Sequence, residues 1–187
     1  VFGRADRGRP VSETPLKSSP LHDRHQALHA KLAEFGGWNM PLSYPDGTLA
    51  EHRACRSGSA VFDVSHLGTV RVEGPGALDR LQAAFTNDLT KIQPGRAQYT
   101  HLLAEDGSVS DDIIVWWVAE QRFDVMPNAS NTSGVLAALG ADSVGDDTIA
   151  DVTSTRAVLA VQGPEARSVL ASVLPEAADV GRFRVCT

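Results

Sequence analysis

Hydrophobic and polar positions alternate in short runs between residues 96 and 126, and tight turns separate the runs. We predict three strands there, at residues 98–103, 111–118 and 123–126. Turns as short as the two that join them are typical of antiparallel hairpins. The middle strand is rich in Ile, Val and Trp, which predicts burial on both of its faces.

Two other stretches, 70–78 and 158–166, share the order strand, Gly-Pro turn, helix. Proline fits the first turn of a helix, where its missing N–H is not needed. We therefore predict two related units, with helices over residues 76–85 and 165–173. A further helix is expected at 130–139, a Gly/Asp loop at 140–147 and a strand at 148–152.

A helix of about four turns is predicted over residues 20–35. Its apolar positions recur at helical spacing, and Gly36-Gly37 follows as a stop signal. His22, His25 and His29 fall at i, i+3 and i+7 of this helix. That spacing suits either a metal site or a solvated polar face.

Residues 36–45 are rich in aromatic side chains and proline, so we expect an ordered loop that packs Trp38 and Tyr44 onto the domain. A short helix is predicted over residues 48–55, with Thr48 and Glu51 forming a capping box. Strands and helices therefore mix without strict alternation. This pattern predicts an α+β fold with antiparallel sheets and strand–Gly-Pro–helix units.

The length of 187 residues suits one domain, which we place at residues 15–187. Residues 1–14 carry three arginines among Gly, Pro and Ser without apolar periodicity, and we expect a flexible lead. The net charge of −6 argues against nucleic acid as a partner. No apolar run has the length of a membrane span.

Cys55 and Cys186 lie far apart without a CxxC spacing, so neither a zinc site nor a disulfide framework is indicated. A reducing compartment is the simpler interpretation. In the absence of a convincing transit peptide we expect a cytoplasmic location, or the mitochondrial matrix if the source is eukaryotic.

The most distinctive polar pair is Asp111-Asp112, at the entrance of the apolar middle strand. Side chains alternate along a strand, so the two carboxylates must point to opposite faces and cannot act together on one substrate atom. One of them could accept hydrogen bonds from a ligand ring or stabilise positive charge on a nitrogen. The alternative is that they cap local backbone N–H groups.

Six motifs occur in the order found in the aminomethyltransferase family of the glycine cleavage system, the T-proteins. They are FGGWNMP at 35–41, FDVSH at 62–66, TND at 86–88, DDIIV at 111–115, PNA at 127–129 and VQGP at 161–164. The chain resembles this family from about residue 14 onward. The resemblance covers only the first half of the usual length of a T-protein.

The resemblance implies a folate-dependent transfer. A T-protein takes the aminomethyl group from the lipoyl arm of its partner, the H-protein, releases ammonia and leaves the carbon on tetrahydrofolate as the methylene form. Tetrahydrofolate is then a substrate and one-carbon carrier, and no metal is expected. The resemblance implies further contacts to the folate tail, acidic and basic, from the second half of these proteins, and a basic group for the glutamate tail is not visible in this chain.

The resemblance also implies roles for individual residues. The second carboxylate of the pair, Asp112, would contact the pterin and be catalytic. Leu67 and Met126 would pack against the ring, Asn128 would supply an amide and Tyr99 an aromatic contact. Asp124 is a departure, because an apolar or aromatic residue is common at its position in the family.

Other readings stay open. The same folate-binding fold occurs in an iron–sulfur cluster maintenance family and in dimethylglycine and sarcosine dehydrogenases, so the chain could be a folate-binding module. It could also be an inactive fragment. His66 could act as a base, or it could bond to its own loop through Asp63 or Ser65.

Overall fold

The structure, a computed structural model, describes residues 15–140 and 146–187. The predicted flexible lead at residues 1–14 lies outside the described residues. So does residue range 141–145, which is most of the loop predicted at 140–147. No helix within the described ranges is long and apolar enough to cross a membrane.

The N-terminal part forms a small sheet, and the long helix predicted over residues 20–35 is wrong. Only the short helix α1 is present there, and His29 at φ 55 turns the chain into a strand. The elements are β1 (Lys17–Ser18), α1 (His22–Ala27), β2 (Lys31–Phe35) and β3 (Trp38–Ser43), with β3 parallel to β1 and antiparallel to β2.

Two observations explain this error. Leu28 and Phe35, two of the apolar positions that indicated a helix, are 59% and 61% exposed, so their spacing does not mark a buried face. Gly36 and Gly37 have φ values of 57 and 84, which suit a two-residue hairpin turn. The glycine pair therefore joins β2 to β3 instead of ending a helix.

The segment predicted as an irregular loop at 36–45 contains β3, although Trp38 is buried as expected. The next helix, α2 (Thr48–Ser57), confirms the prediction at 48–55. The capping box is wrong, because the Glu51 carboxylate accepts a hydrogen bond from the Tyr44 N–H at 2.7 Å. It therefore ties the start of α2 to the end of β3.

The two predicted strand–Gly-Pro–helix units are confirmed, but their strands belong to different sheets. The first unit contributes β5 and α3 and the second β10 and α5, each within a residue or two of its prediction. The elements from residue 60 to residue 84 are β4 (Ala60–Asp63), β5 (Val70–Glu73) and α3 (Ala77–Ala84).

The hairpins predicted between residues 98 and 126 are also confirmed. They are formed by β6 (Arg96–Leu103), β7 (Val109–Ala119) and β8 (Arg122–Met126). The remaining elements are α4 (Thr132–Leu139), β9 (Thr148–Asp151), β10 (Leu159–Gln162), α5 (Ala166–Val173) and α6 (Pro175–Ala178).

A five-stranded antiparallel sheet in the order β6-β7-β8-β5-β9 is the centre of the domain, and β10 pairs with β4 in a separate two-stranded sheet. The core lies on one face of the large sheet, where side chains of β5, β7 and β8 pack against α3 and α4. The predicted α+β class is confirmed.

The prediction that the middle strand is buried on both faces is wrong. Along β7, Ile113, Val115 and Trp117 lie in the core, whereas Ile114 and Trp116 on the other face are only half-buried. The large sheet thus has a covered face and a more open face.

Candidate functional site

The strand register brings three of the five predicted folate residues to the open face of the large sheet. His101 lies opposite Asp112, Tyr99 lies opposite Ile114, and Ile114 lies opposite Met126. Directly opposite residues in an antiparallel sheet point to the same face, and so do every second residue along a strand. Tyr99, Asp112 and Met126 therefore lie on the same face of three adjacent strands, with Tyr99 55% exposed and Met126 only 6% exposed.

Asp111 points the other way and fixes the loop that follows β8. Its Oδ2 accepts the Asn128 N–H at 3.1 Å, and its Oδ1 accepts the Asn128 and Asn131 side-chain amides at 2.7 and 3.0 Å. The residue is only 3% exposed. Its partners are 17 and 20 residues away, so Asp111 is a structural anchor between elements rather than a cap for its own turn.

Asp112 has the opposite environment. Its side chain is 62% exposed, and the Nε2 atom of His101 lies 3.8 Å from Asp112 Oδ1. No hydrogen bond within the described residues occupies the carboxylate oxygens of Asp112. Because the carboxylate is uncommitted and lies beside apolar side chains, it can accept hydrogen bonds from a bound ring.

Asn128 and Leu67 lie at the end of this surface, near the C-terminus of β8. The Asn128 Nδ2 donates to Asp111 Oδ1 and to the Asp112 carbonyl at 3.3 Å, which leaves Oδ1 as the atom available to a ligand. Leu67 is half-buried, and the Gly68 N–H after it donates to the Pro127 carbonyl at 3.0 Å. These contacts bring both residues close to Met126.

Asp124 lies two residues before Met126 on the same face, and two arginines enclose it. Its carboxylate accepts from Arg71 Nε at 2.9 Å and from Arg156 Nη1 at 3.0 Å. Burial alone would raise the pKa of Asp124, but the hydrogen bonds and charges of the two arginines outweigh it and lower the pKa. The carboxylate is therefore ionised and paired, and Asp124, Arg71 and Arg156 form an ionic cluster on this face.

The histidines do not form the arrangements considered above. His25 is buried, with Nε2 at 2.7 Å from Asp63 Oδ2 and Nδ1 at 2.9 Å from Tyr44 Oη. His29 lies outside α1, and within the described residues no group of His, Cys, Asp or Glu could hold a metal ion.

His66 does not bond to Asp63, because that carboxylate accepts from Ser19, His25 and the Ser65 N–H. The His66 Nδ1 is buried without a hydrogen-bond partner in the described part of the chain. Burial lowers the pKa of His66, and the nearby negative charge of Asp63 opposes this shift only in part.

Sequence reasoning missed two residues of this region, His101 and Asn131. A bulge explains the first, since Leu102 pairs with Asp111 but Leu103 pairs with Val109, which leaves Ser110 without a partner. Pairing counted outward from the turn without a bulge would place His101 opposite Asp111. Asn131 joins Asp111 through the three-dimensional packing, and no local pattern signals it.

The family model described as "GCVT N-terminal domain" matches residues 21–187. The chain is 47% identical over 171 residues to an aminomethyltransferase of Mycobacterium tuberculosis, a match that covers 90% of this chain and 46% of the relative. It is 48% identical over 156 residues to the aminomethyltransferase of a Parafrankia strain, covering 83% and 43%.

A solved structure has the same fold. It is the glycine cleavage system aminomethyltransferase T from Bartonella henselae, with a TM-score of 0.78 and 38% identity. The match covers 84% of this chain and 44% of that protein. The chain thus spans about half the length of the curated relatives it matches.

Proposed function

Because this chain belongs to the family of the GCVT N-terminal domain, we propose that it forms the folate-binding half of a glycine cleavage aminomethyltransferase. In the proposed reaction the H-protein presents an aminomethyl group on its lipoyl arm. Ammonia is released, and the carbon passes to tetrahydrofolate to give methylene-tetrahydrofolate. The cytoplasmic location stays a prediction from the sequence.

One observation carries the assignment of the site within this half. Tyr99, Asp112 and Met126 come from three different strands, and the register of the sheet sets them on one face. The Asp111 side chain points to the other face and accepts hydrogen bonds from the Asn128 N–H and side-chain amide. The surface therefore combines an aromatic ring, a thioether, a free carboxylate and an amide oxygen, which together suit a flat, nitrogen-rich ring such as a pterin.

The carboxylate of Asp112 is the proposed catalytic group. It accepts hydrogen bonds from ring N–H groups and favours attack by the ring nitrogen on an iminium-like carbon, because positive charge develops beside it. Since Asp112 is largely exposed in this structure, water weakens its field until a bound ring displaces that water. Leu67 and Met126 would supply the apolar contacts that exclude water.

The proposal is tested by calorimetric titration of the 187-residue chain with tetrahydrofolate under anaerobic conditions. Asp112→Asn keeps the shape of the side chain and removes its charge, so we expect affinity to fall by about tenfold to a hundredfold. Glu120→Gln is the matched control, because Glu120 is an exposed carboxylate at the other end of β7. It should leave binding unchanged.

Two results would contradict the proposal. If folded Asp112→Asn binds tetrahydrofolate as tightly as the unaltered chain, Asp112 does not face the pterin. If the unaltered, folded chain shows no saturable heat, this half does not bind folate by itself.

A further inference from the structure

The turn that follows β4 holds His66 beside two of the predicted folate contacts. Leu67, one of them, is the next residue in the chain. The Gly68 N–H donates to the Pro127 carbonyl at 3.0 Å, directly before Asn128, and a Cβ at Gly68 would lie 2.7 Å from Pro127 Cγ. Because the two segments are in such close contact, His66 lies near the loop that carries Asn128.

The aromatic ring of Phe35, at the end of β2, packs against the His66 ring. The two rings meet edge to face, with their centroids 5.2 Å apart and their planes at 89°. The next residue, Gly36, approaches the same loop, since a Cβ there would lie 3.0 Å from Ala129 Cβ. The turn between β2 and β3 therefore restricts the orientation of the His66 ring at the border of the loop.

The two ring nitrogens of His66 have different surroundings. Nδ1 is buried without a hydrogen-bond partner, whereas Nε2 also bonds to none of the described residues but is not buried. Burial lowers the pKa of His66, so the ring is neutral at pH 7. An orphaned N–H is rarer in folded proteins than an orphaned acceptor, which favours the proton on Nε2. His66 therefore presents a free N–H donor.

A pterin offers an acceptor for such a donor. The two polar groups assigned to the pterin, the Asp112 carboxylate and Asn128 Oδ1, both accept hydrogen bonds. The ring of tetrahydrofolate carries N–H groups that match them, and it also carries a carbonyl oxygen at its position 4. We propose that His66 is a further folate contact, whose Nε2–H donates to this carbonyl oxygen. The inference rests on the proposed function and adds a donor to the same site.

The test compares tetrahydrofolate with its 4-amino analogue, in which an amino donor replaces the carbonyl oxygen. Both ligands are titrated anaerobically into the 187-residue chain and followed by calorimetry. His66→Phe keeps a planar ring against Phe35 and removes both nitrogens. We expect it to lower the preference for tetrahydrofolate over the analogue by about tenfold, because the unaltered ring gains a hydrogen bond from one ligand and opposes a donor in the other.

Two further variants separate the donor from the shape of the ring. The side-chain amide nitrogen of His66→Gln can take the place of Nε2, so this variant should keep most of the preference. His52→Phe removes an exposed histidine on α2 and should leave both affinities unchanged. Circular dichroism checks that all variants are folded, which we expect because the nitrogens of His66 bond to no other described residue.

A second measurement needs only the unaltered chain. With ¹⁵N-labelled histidine, the Nε2 resonance of His66 is assigned by its absence from the spectrum of His66→Gln. Titration with tetrahydrofolate should shift this resonance saturably, and the ring should stay neutral in the complex. An Nε2 resonance that does not move while tetrahydrofolate saturates the chain would overturn the inference.

The outcomes distinguish this inference from the proposed function. The inference is also overturned if folded His66→Phe keeps the full preference for tetrahydrofolate, or if His66→Phe and His66→Gln lose it equally. If Asp112→Asn weakens binding and His66→Phe does not, the proposed function stands without the His66 contact. If His66→Phe weakens binding and Asp112→Asn does not, the His66 contact stands and the role of Asp112 is wrong. Absence of binding to the unaltered, folded chain overturns both.

Discussion

Two adjacent carboxylates on β7 differ in almost everything that surrounds them. Asp111 is 3% exposed and accepts three hydrogen bonds, which offset the cost of burying its charge. Asp112 is mostly exposed, and the His101 ring lies 3.8 Å from its carboxylate. The two environments differ because side chains alternate along the strand. One carboxylate therefore bonds to the loop at residues 128–131, and the other points to the opposite face.

A matched pair of variants tests whether Asp111, and not Asp112, stabilises the fold. Asp111→Asn replaces one of two acceptor oxygens by an NH2 group among three donors, so we expect the free energy of unfolding to fall by about 1 to 3 kcal/mol. Asp112→Asn should change it by less than about 0.5 kcal/mol. Urea unfolding followed by circular dichroism measures both. Equal losses of stability, or a larger loss in Asp112→Asn, would mean that the faces are assigned incorrectly.

At the scale of secondary structure, the sequence predicted those elements whose signals are local. The Gly-Pro junctions located α3 and α5, and the alternation between residues 98 and 126 located three strands and the opposite faces of Asp111 and Asp112. The segment 20–35 was predicted wrongly, because a spacing of three to four residues also occurs by chance in a strand and its flanks. The bulge at Ser110 and the partners of Asp111 depend on contacts between distant residues, so the sequence alone could not supply them.

The junction between β10 and α5 gives a prediction about an element. Gly163 has φ 113, and an added Cβ would lie 2.4 Å from the Gly58 carbonyl oxygen and 2.6 Å from that of Cys55. Gly163→Ala should therefore cost at least about 2 kcal/mol, from backbone strain and from displacement of the end of α2. Gly107→Ala is the control, because Gly107 also has positive φ but its Cβ would meet open space.

Thermal unfolding of the two glycine variants measures the difference. Gly107→Ala carries only the backbone strain, which is about 1 kcal/mol. If both variants lose the same stability, the close approach of the β10–α5 junction to α2 contributes nothing measurable to the fold.

A buried cluster around Asp63 joins α1, the end of β3 and the end of β4, and it predicts sensitivity to acid. Burial alone would raise the pKa of Asp63, but hydrogen bonds from Ser19, Ser65 and His25 outweigh it and lower the pKa below its ordinary value of 3.8. The folded state then binds fewer protons than the unfolded chain near that pH. The stabilisation is complete well above pH 3.8 and is lost as the pH falls through the lowered pKa.

His66 also makes the folded state less stable as the pH falls, but at a higher pH than Asp63. Its pKa lies below the ordinary 6.5 in the folded state, so as the pH falls below 6.5 the unfolded chain takes up the proton more readily and stability declines. We expect His66→Gln to flatten the decline just below pH 6.5 and Asp63→Asn to flatten the one below about pH 4. Urea unfolding between pH 3 and 8 measures both. Parallel pH profiles for the variants and the unaltered chain would contradict the assignment.

In the molecule as a whole, the two faces of the large sheet have different roles, one in stability and the other in the proposed ligand binding. Its covered face holds the core against α3 and α4. Its more open face carries the proposed pterin site. Substitutions on the open face should therefore affect ligand binding more than folding.

The two methionines of the chain, Met40 and Met126, allow a direct test of the proposed pterin site. Their methyl groups give two signals in a ¹³C-methyl NMR spectrum, and Met126→Leu assigns them. Met126 lies on the proposed pterin surface, whereas Met40 lies in β3 of the N-terminal sheet. Titration with tetrahydrofolate should shift the Met126 methyl signal saturably and leave that of Met40 in place. Saturable binding that shifts the Met40 signal and leaves the Met126 signal unchanged would contradict a pterin site beside Met126.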